Sequence, residues 1–133
     1  MPRATAPALL LWLMATLPGL ATAADPLEGR WRTTPDGHGR VSEVMIAPCG
    51  EGYCGTLVAT YDSSGRELES DRLGRFVVWG MRPQGGGRYE GGQMYAADVD
   101  RIYASRMALK GDSLSVSGCV LVVCRGQLWQ RQH

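Results

Sequence analysis

The stretch Ser113-Leu-Ser-Val-Ser-Gly-Cys-Val120 alternates between larger apolar or glycine positions and small polar ones. One face carries Leu114, Val116, Gly118 and Val120, and the other carries Ser113, Ser115 and Ser117. A period of two places alternate side chains on opposite faces of a strand, whereas a helix would need a period near 3.6. The pattern therefore predicts a β-strand with one face in a core and one face in water.

Similar segments occur on both sides of this strand, separated by turns rich in the 18 glycines of the chain. The predicted strands cover residues 25–33, 41–47, 55–61, 75–81, 88–95, 101–109, 113–120 and 122–130. The polar stretch 62–74 is either a long loop or a single helical turn. Short strands at this spacing are typical of a sandwich or barrel. We predict an all-β, single-domain, up-and-down antiparallel β-barrel of about eight strands, with an interior able to hold one small ligand.

The first 23 residues have the order of a secretory signal peptide. Arg3 is their only charge, the apolar run 8–17 follows, and Ala21-Thr22-Ala23 supplies the small residues of a cleavage site. A membrane anchor is the alternative, but a spanning helix needs about 20 apolar residues. We therefore predict a signal peptide over residues 1–23 and a mature domain over 24–133. The protein is expected in the periplasm or outside the cell, with no membrane span in the mature chain.

Composition argues against a nucleic-acid partner. Once Arg3 is removed with the signal, 13 basic and 13 acidic residues remain, so the mature chain has no net charge. Lys110 is the only lysine, and the arginines are scattered rather than collected into a stripe. Nucleic-acid binding rests on such clustered positive charge.

Four cysteines lie in the mature chain, at Cys49, Cys54, Cys119 and Cys124. An even number in an oxidising compartment indicates disulfides, and three pairings are possible. We favour the two local pairs, because cysteines facing each other across a hairpin have the short separation that a disulfide needs. Zinc is the alternative that the spacing permits, but the compartment and the presence of only two histidines argue against it.

Three groups of residues together resemble a family of small exported bacterial proteins, the domain of unknown function 2147 family. They are Gly29-Arg-Trp31 with Val44-Met-Ile46 and Cys49…Cys54-Gly55; Leu73-Gly74, Val77-Val-Trp-Gly-Met81, Arg88-Tyr-Glu-Gly-Gly-Gln-Met-Tyr95 and Tyr103; and Leu114, Val116, Gly118-Cys119, Cys124-Arg125 and Trp129-Gln-Arg131. The resemblance implies a lipocalin-like barrel and brings no catalytic residues. Residues 96–100 lack the Pro and Gly common in that turn of the family, so a shared role for the turn is not expected.

Aromatic residues on the predicted strands are the candidates for a ligand site. Trp79, Tyr95, Tyr103 and Tyr89 combine apolar area with a polar group, which suits a pocket. The alternative is that they only fill the core. Trp31 and Trp129, in the first and last strands, are expected to pack where the barrel closes.

Catalytic signals are weak. His38 lies between two glycines, His133 is the last residue, and Glu90 is the best carboxylate candidate for a base, although an outward-facing charge explains it equally well. We expect no enzyme activity, cofactor or metal. The sequence favours a periplasmic protein that binds a small, largely apolar ligand. The alternative is a cell-envelope structural or interaction module with a solidly packed barrel, whose protein partner the sequence leaves unknown.

Overall fold

A computed structural model describes residues 2–10, 12–19 and 23–133 of the chain. Residues 2–10 and 12–19 are exposed and contain neither helix nor strand. Ala21 and Thr22 of the predicted cleavage site lie outside the described residues. The signal peptide and the boundary at residue 24 therefore stay predictions. Over the described ranges, no helix has the length and apolarity needed to cross a membrane.

Eight antiparallel strands follow one another around a closed barrel. They are β1 (Gly29–Arg32), β2 (Val41–Cys49), β3 (Gly52–Tyr61), β4 (Phe76–Gly85), β5 (Arg88–Ala96), β6 (Arg101–Lys110), β7 (Ser113–Val120) and β8 (Val123–Gln132). Each strand pairs with the next, and β1 closes the barrel against β8 through Trp31 opposite Arg131. The predicted all-β, up-and-down barrel is confirmed.

The connections lie at two ends of the barrel. The links β1–β2, β3–β4, β5–β6 and β7–β8 lie at one end, which we call the open end. The three remaining turns and the segment before β1 lie at the other, which we call the closed end. Residues 62–75 link β3 to β4, and the stretch 62–74 that the sequence left open between loop and helical turn is irregular. One bridge, between Tyr61 and Glu67, lies in this link.

The closed end is filled by the chain that enters β1. Leu27 is fully buried, and its carbonyl accepts a hydrogen bond from the indole of Trp31 at 2.9 Å. The guanidinium of Arg131 lies 4.4 Å from the ring centre of Trp31. It donates to the carbonyls of Glu28 and Pro26, and so joins the last strand to the segment before the first. These contacts agree with the packing role predicted for Trp31.

Close packing inside the barrel explains two glycines. A Cβ atom on Gly55 would lie 2.7 Å from Val44 and 2.8 Å from Val78. A Cβ atom on Gly92 would overlap the sulfur of Met81 and the carbonyl oxygen of Trp79. Strand β5 bulges between Tyr89 and Gly92. Gly92 therefore marks the close approach of a neighbouring strand and its side chain.

Both disulfides form within hairpins, as the sequence predicts. Cys49 and Cys54 span the β2–β3 turn at the closed end, with Cα atoms 5.8 Å apart. Cys119 and Cys124 are directly opposite each other on β7 and β8 at the open end, 4.1 Å apart. Each bond therefore fixes one turn rather than joining distant parts of the barrel.

Candidate functional site

A cavity of about 400 Å³ enters the barrel from the open end. Its apolar wall consists of Val44, Val77, Met94, Val116 and Trp129. Val44, Val116 and Trp129 are almost completely buried and belong to the main core. The hydrophobic core therefore ends in a depression instead of filling the barrel to its rim. We call this depression the inner lobe.

A second cavity of about 370 Å³ adjoins the inner lobe and forms the mouth lobe. It is lined by Val99, Tyr103, Gly118, Val120 and Val123. Four further residues line both lobes and so mark where they meet: Met94, Ala96, Asp98 and Arg125. Each lobe falls within the 300–1,000 Å³ range of small-molecule sites.

Strand register places these side chains on the inner face. Met94 on β5 lies opposite Tyr103 on β6, and Gly118 on β7 lies opposite Arg125 on β8. A Cβ atom at Gly118 would be 2.9 Å from the sulfur of Met94 and 3.4 Å from the Cβ of Tyr103. The missing side chain at Gly118 thus gives room to two residues of the cavity wall.

The β7–β8 turn rims the mouth lobe with an apolar tip. Val120 and Val123 pair with each other, and the turn residues Leu121 and Val122 are each 94% exposed. Leu121 has a φ of 55°, a left-handed conformation uncommon for a non-glycine residue. The Cys119–Cys124 bond lies immediately below the tip and fixes it beside the cavity.

The β1–β2 loop borders the inner lobe and is held by Asp36. One carboxylate oxygen accepts from the backbone N–H groups of His38 at 2.8 Å and Arg40 at 2.9 Å. The other accepts from the Arg40 side chain at 2.9 Å. Partial burial acts to raise the pKa of Asp36, but these hydrogen bonds and the Arg40 charge outweigh it and lower the pKa.

Two charges lie where the lobes meet. Arg125 extends from the inner face of β8, and Asp98 lies in the β5–β6 turn. Among the described residues, neither side chain has a hydrogen-bond or ion-pair partner. Trp129 borders the inner lobe, but its indole N–H has almost no accessible surface and no acceptor among the described residues.

Of the four predicted ligand-binding aromatics, two border the cavity. Tyr103 lines the mouth lobe, and Tyr95 lies at the edge of the inner lobe. The hydroxyl of Tyr95 donates to Asp100 at 2.5 Å, and the guanidinium of Arg72 lies 3.4 Å from its ring centre. Both partners come from open-end links, so Tyr95 ties these links to the rim. The hydrogen bond to Asp100 is the main cause of its raised pKa.

The other two predicted residues lie elsewhere. Trp79 pairs with Gln93 on the face opposite to that of Met94, and its indole donates to the Gln93 side chain at 3.1 Å. Tyr89 is buried at the closed end, where its hydroxyl donates to Asp25 at 2.6 Å. Neither residue is part of the cavity wall described above.

The sequence patterns did not predict Met94, Asp98 or Arg125 as residues of an apolar ligand site. A signal for Arg125 does exist, because it lies four positions before Trp129 on one strand and therefore on the same face. Met94 likewise lies two positions before Ala96 in β5. Asp98 lies in an irregular turn and carries no comparable pattern.

The fold and cavity together define a lipocalin-like barrel with an accessible interior at one end. The chain belongs to the family described as "Uncharacterized protein conserved in bacteria (DUF2147)", whose model matches residues 29–131. A similar solved structure is described as "Protein HP1028 from the human pathogen Helicobacter pylori belongs to the lipocalin family". That structure is 16% identical, with a TM-score of 0.66 over 80% of this chain and 83% of the other. No functionally curated protein matches the sequence.

Proposed function

We propose that this protein is a non-enzymatic binder that holds a small, largely apolar molecule in the two-lobed cavity. The proposal rests on the inner lobe, an open cavity of about 400 Å³. The half-buried apolar residues Val77 and Met94 line it above the buried core. An unfilled apolar surface gains free energy when it is covered, at about 25 cal/mol per Å². A ligand with an apolar body supplies that cover.

The alternative, a cell-envelope interaction module with a solidly packed barrel, requires an interior without room for a ligand. The two lobes, of about 400 and 370 Å³, favour binding over that alternative. Location in the periplasm or outside the cell is part of the proposal. It is supported by two disulfides, which persist in oxidising compartments, together with the predicted signal peptide.

Native mass spectrometry of protein isolated from the periplasm tests the proposal directly. We expect a fraction of the protein to retain a small molecule that is released on unfolding. The matched pair of variants Ala96→Trp and Ala108→Trp locates the site. Ala96 lines both lobes, whereas Ala108 is exposed on β6 between Arg88 and Ser115.

The indole introduced at position 96 should displace the ligand, and the indole at 108 should leave it bound. Equal retention by both variants would place the ligand outside the cavity. A mature protein that carries no molecule, and that binds no apolar probe when titrated, would favour the interaction module.

A further inference from the structure

We infer that the ligand carries an anionic group, and that Arg125 binds this group while the apolar body occupies a lobe. This inference rests on the proposed function and specifies its ligand class as an apolar carboxylic acid. The observation behind it is a cation on the inner face of β8, at the junction of the two lobes, with no anionic partner among the described residues.

Arg125 differs from the other arginines in its position. Several of the others bind carboxylates, and some, such as Arg106, lack an ion pair among the described residues, but none of those without a pair lines both lobes. Arg30 and Arg32 both bind Glu43, Arg40 binds Asp36, and Arg131 binds Asp112, at 2.9 to 3.1 Å. Arg125 faces Gly118 across the strand pair, and the apolar residues Val116, Val120 and Val123 line the lobes around it. A guanidinium presents several N–H donors in one plane, an arrangement that matches the two oxygens of a carboxylate. A ligand carboxylate would therefore accept hydrogen bonds from Arg125.

Asp98 is the opposing charge at the same junction, and it makes the inference more sharply testable. Its carboxylate lines both lobes and would repel a ligand anion. If a carboxylate binds at Arg125, then neutralising Asp98 should strengthen binding while neutralising Arg125 weakens it. A neutral ligand of the same length should respond to neither change.

The test compares octanoate with 1-octanol by calorimetric titration of the mature protein, both below their micelle concentrations. We expect octanoate to bind the unmodified protein more tightly than octanol does. Arg125→Gln should weaken octanoate binding roughly tenfold, the scale of a charged hydrogen bond at a solvent-accessible site. Arg125→Lys keeps the charge but loses the planar pair of donors, so it should weaken octanoate binding less than Arg125→Gln does. Asp98→Asn should increase the affinity severalfold. Octanol binding should be unchanged in all three.

Arg106→Gln is the matched control, because Arg106 is exposed on β6 opposite the outward-facing Ser117. It removes one positive charge outside the cavity and should leave octanoate binding unchanged. Equal octanoate affinity in the unmodified protein and Arg125→Gln would overturn the inference but leave the cavity proposal standing. If neither octanoate nor octanol binds the unmodified protein, both are overturned. If Arg125→Gln fails to fold, two other measurements test the inference: the ratio of octanoate to octanol affinity in the unmodified protein, and the octanoate affinity of Asp98→Asn. A ratio of one or below, with no gain in Asp98→Asn, would overturn it.

Discussion

At the scale of single residues, Leu121 adopts a positive φ, a backbone conformation that non-glycine residues disfavour. Only the first central residue of the β7–β8 turn has a positive φ, a pattern that matches a type II′ turn. Such turns prefer glycine at that position, and a left-handed conformation costs other residues about 1–2 kcal/mol. The Cys119–Cys124 bond holds the two strand ends together around this turn.

Leu121→Gly should therefore raise the free energy of unfolding, by about 0.5–1 kcal/mol after the greater freedom of glycine in the unfolded chain is subtracted. The control is Val122→Gly, which removes an equally exposed apolar side chain from a position without positive φ. That variant should be neutral or less stable in urea denaturation. A loss of stability in Leu121→Gly would contradict the strain argument.

The stability cost of replacing Gly92 or Gly118 by alanine should depend on how rigid the neighbouring atoms are. An added methyl at Gly92 meets the backbone oxygen of Trp79, whereas at Gly118 its nearest contact is the flexible end of Met94. Gly92→Ala should cost about 2 kcal/mol or more, in the range of overpacking, and Gly118→Ala should cost clearly less. Thermal unfolding of both variants measures the difference. Equal costs would mean that the strands at Gly92 can separate.

At the scale of elements, the two disulfides have similar loops but different surroundings. Opening a six-residue loop costs about 2 kcal/mol on the chain-entropy model. The double variants Cys119→Ala/Cys124→Ala and Cys49→Ala/Cys54→Ala should therefore lose similar stability. Only the first pair lies beside the mouth lobe, so only its removal should also weaken octanoate binding. Weakened binding in both would indicate a general loosening of the barrel.

The stability of the protein should depend on alkaline pH through two tyrosines at the closed end. Burial, together with the hydrogen bond to Asp25 and its charge, raises the pKa of Tyr89. Burial also raises the pKa of Tyr53, whose ring lies 5.9 Å from that of Tyr89 in an edge-to-face contact. The folded state thus holds the phenol proton more tightly than the unfolded state. The resulting stability is complete below the ordinary tyrosine pKa of about 10 and is lost as the pH rises above it.

Tyr89→Phe should cost about 1 kcal/mol at neutral pH, because the hydrogen bond to Asp25 is lost. Between pH 9 and pH 11 its urea midpoint should fall less steeply than that of the unmodified protein, since one of the shifted phenols is absent. Denaturation curves at four or five pH values provide the comparison. Parallel slopes would show that Tyr89 does not contribute to the alkaline loss of stability.

Strand identities and the cysteine pairs could be predicted because they depend on local patterns. The alternation of Ser113–Val120 and the short hairpins around the cysteines are visible in the sequence. The face of the barrel on which the Trp79 side chain lies was not predictable in this way. Residues 76–79 are all apolar and show no alternation, and Gly80 adopts a φ of 66° within the strand. Which face Trp79 occupies is decided by pairing with Gln93, a contact formed across strands.

At the scale of the whole molecule, the two ends of the barrel differ in how completely they are filled. Leu27, Trp31 and Arg131 seal one end, while the core recedes from the other to leave the two lobes. Sequence patterns predict a barrel and its apolar faces, but a cavity depends on the summed volumes of side chains from all the strands. The sequence therefore predicted a barrel interior with room for a ligand. Among the residues that line the lobes, it predicted Tyr95 and Tyr103 as ligand-site residues but not Met94 or Arg125.

The most direct measurement of the binding account is an NMR titration of protein with ¹³C-labelled methionine methyl groups, using 1-octanol as a neutral probe. Residues 24–133 contain four methionines at distinct positions. Met94 lines both lobes, Met81 and Met107 are buried in the core, and Met45 is half-buried on β2. We predict a saturable shift of the Met94 signal, with much smaller changes at the other three. No shift at any methionine up to the solubility limit of octanol, or a larger shift at Met45 than at Met94, would contradict ligand binding in the cavity.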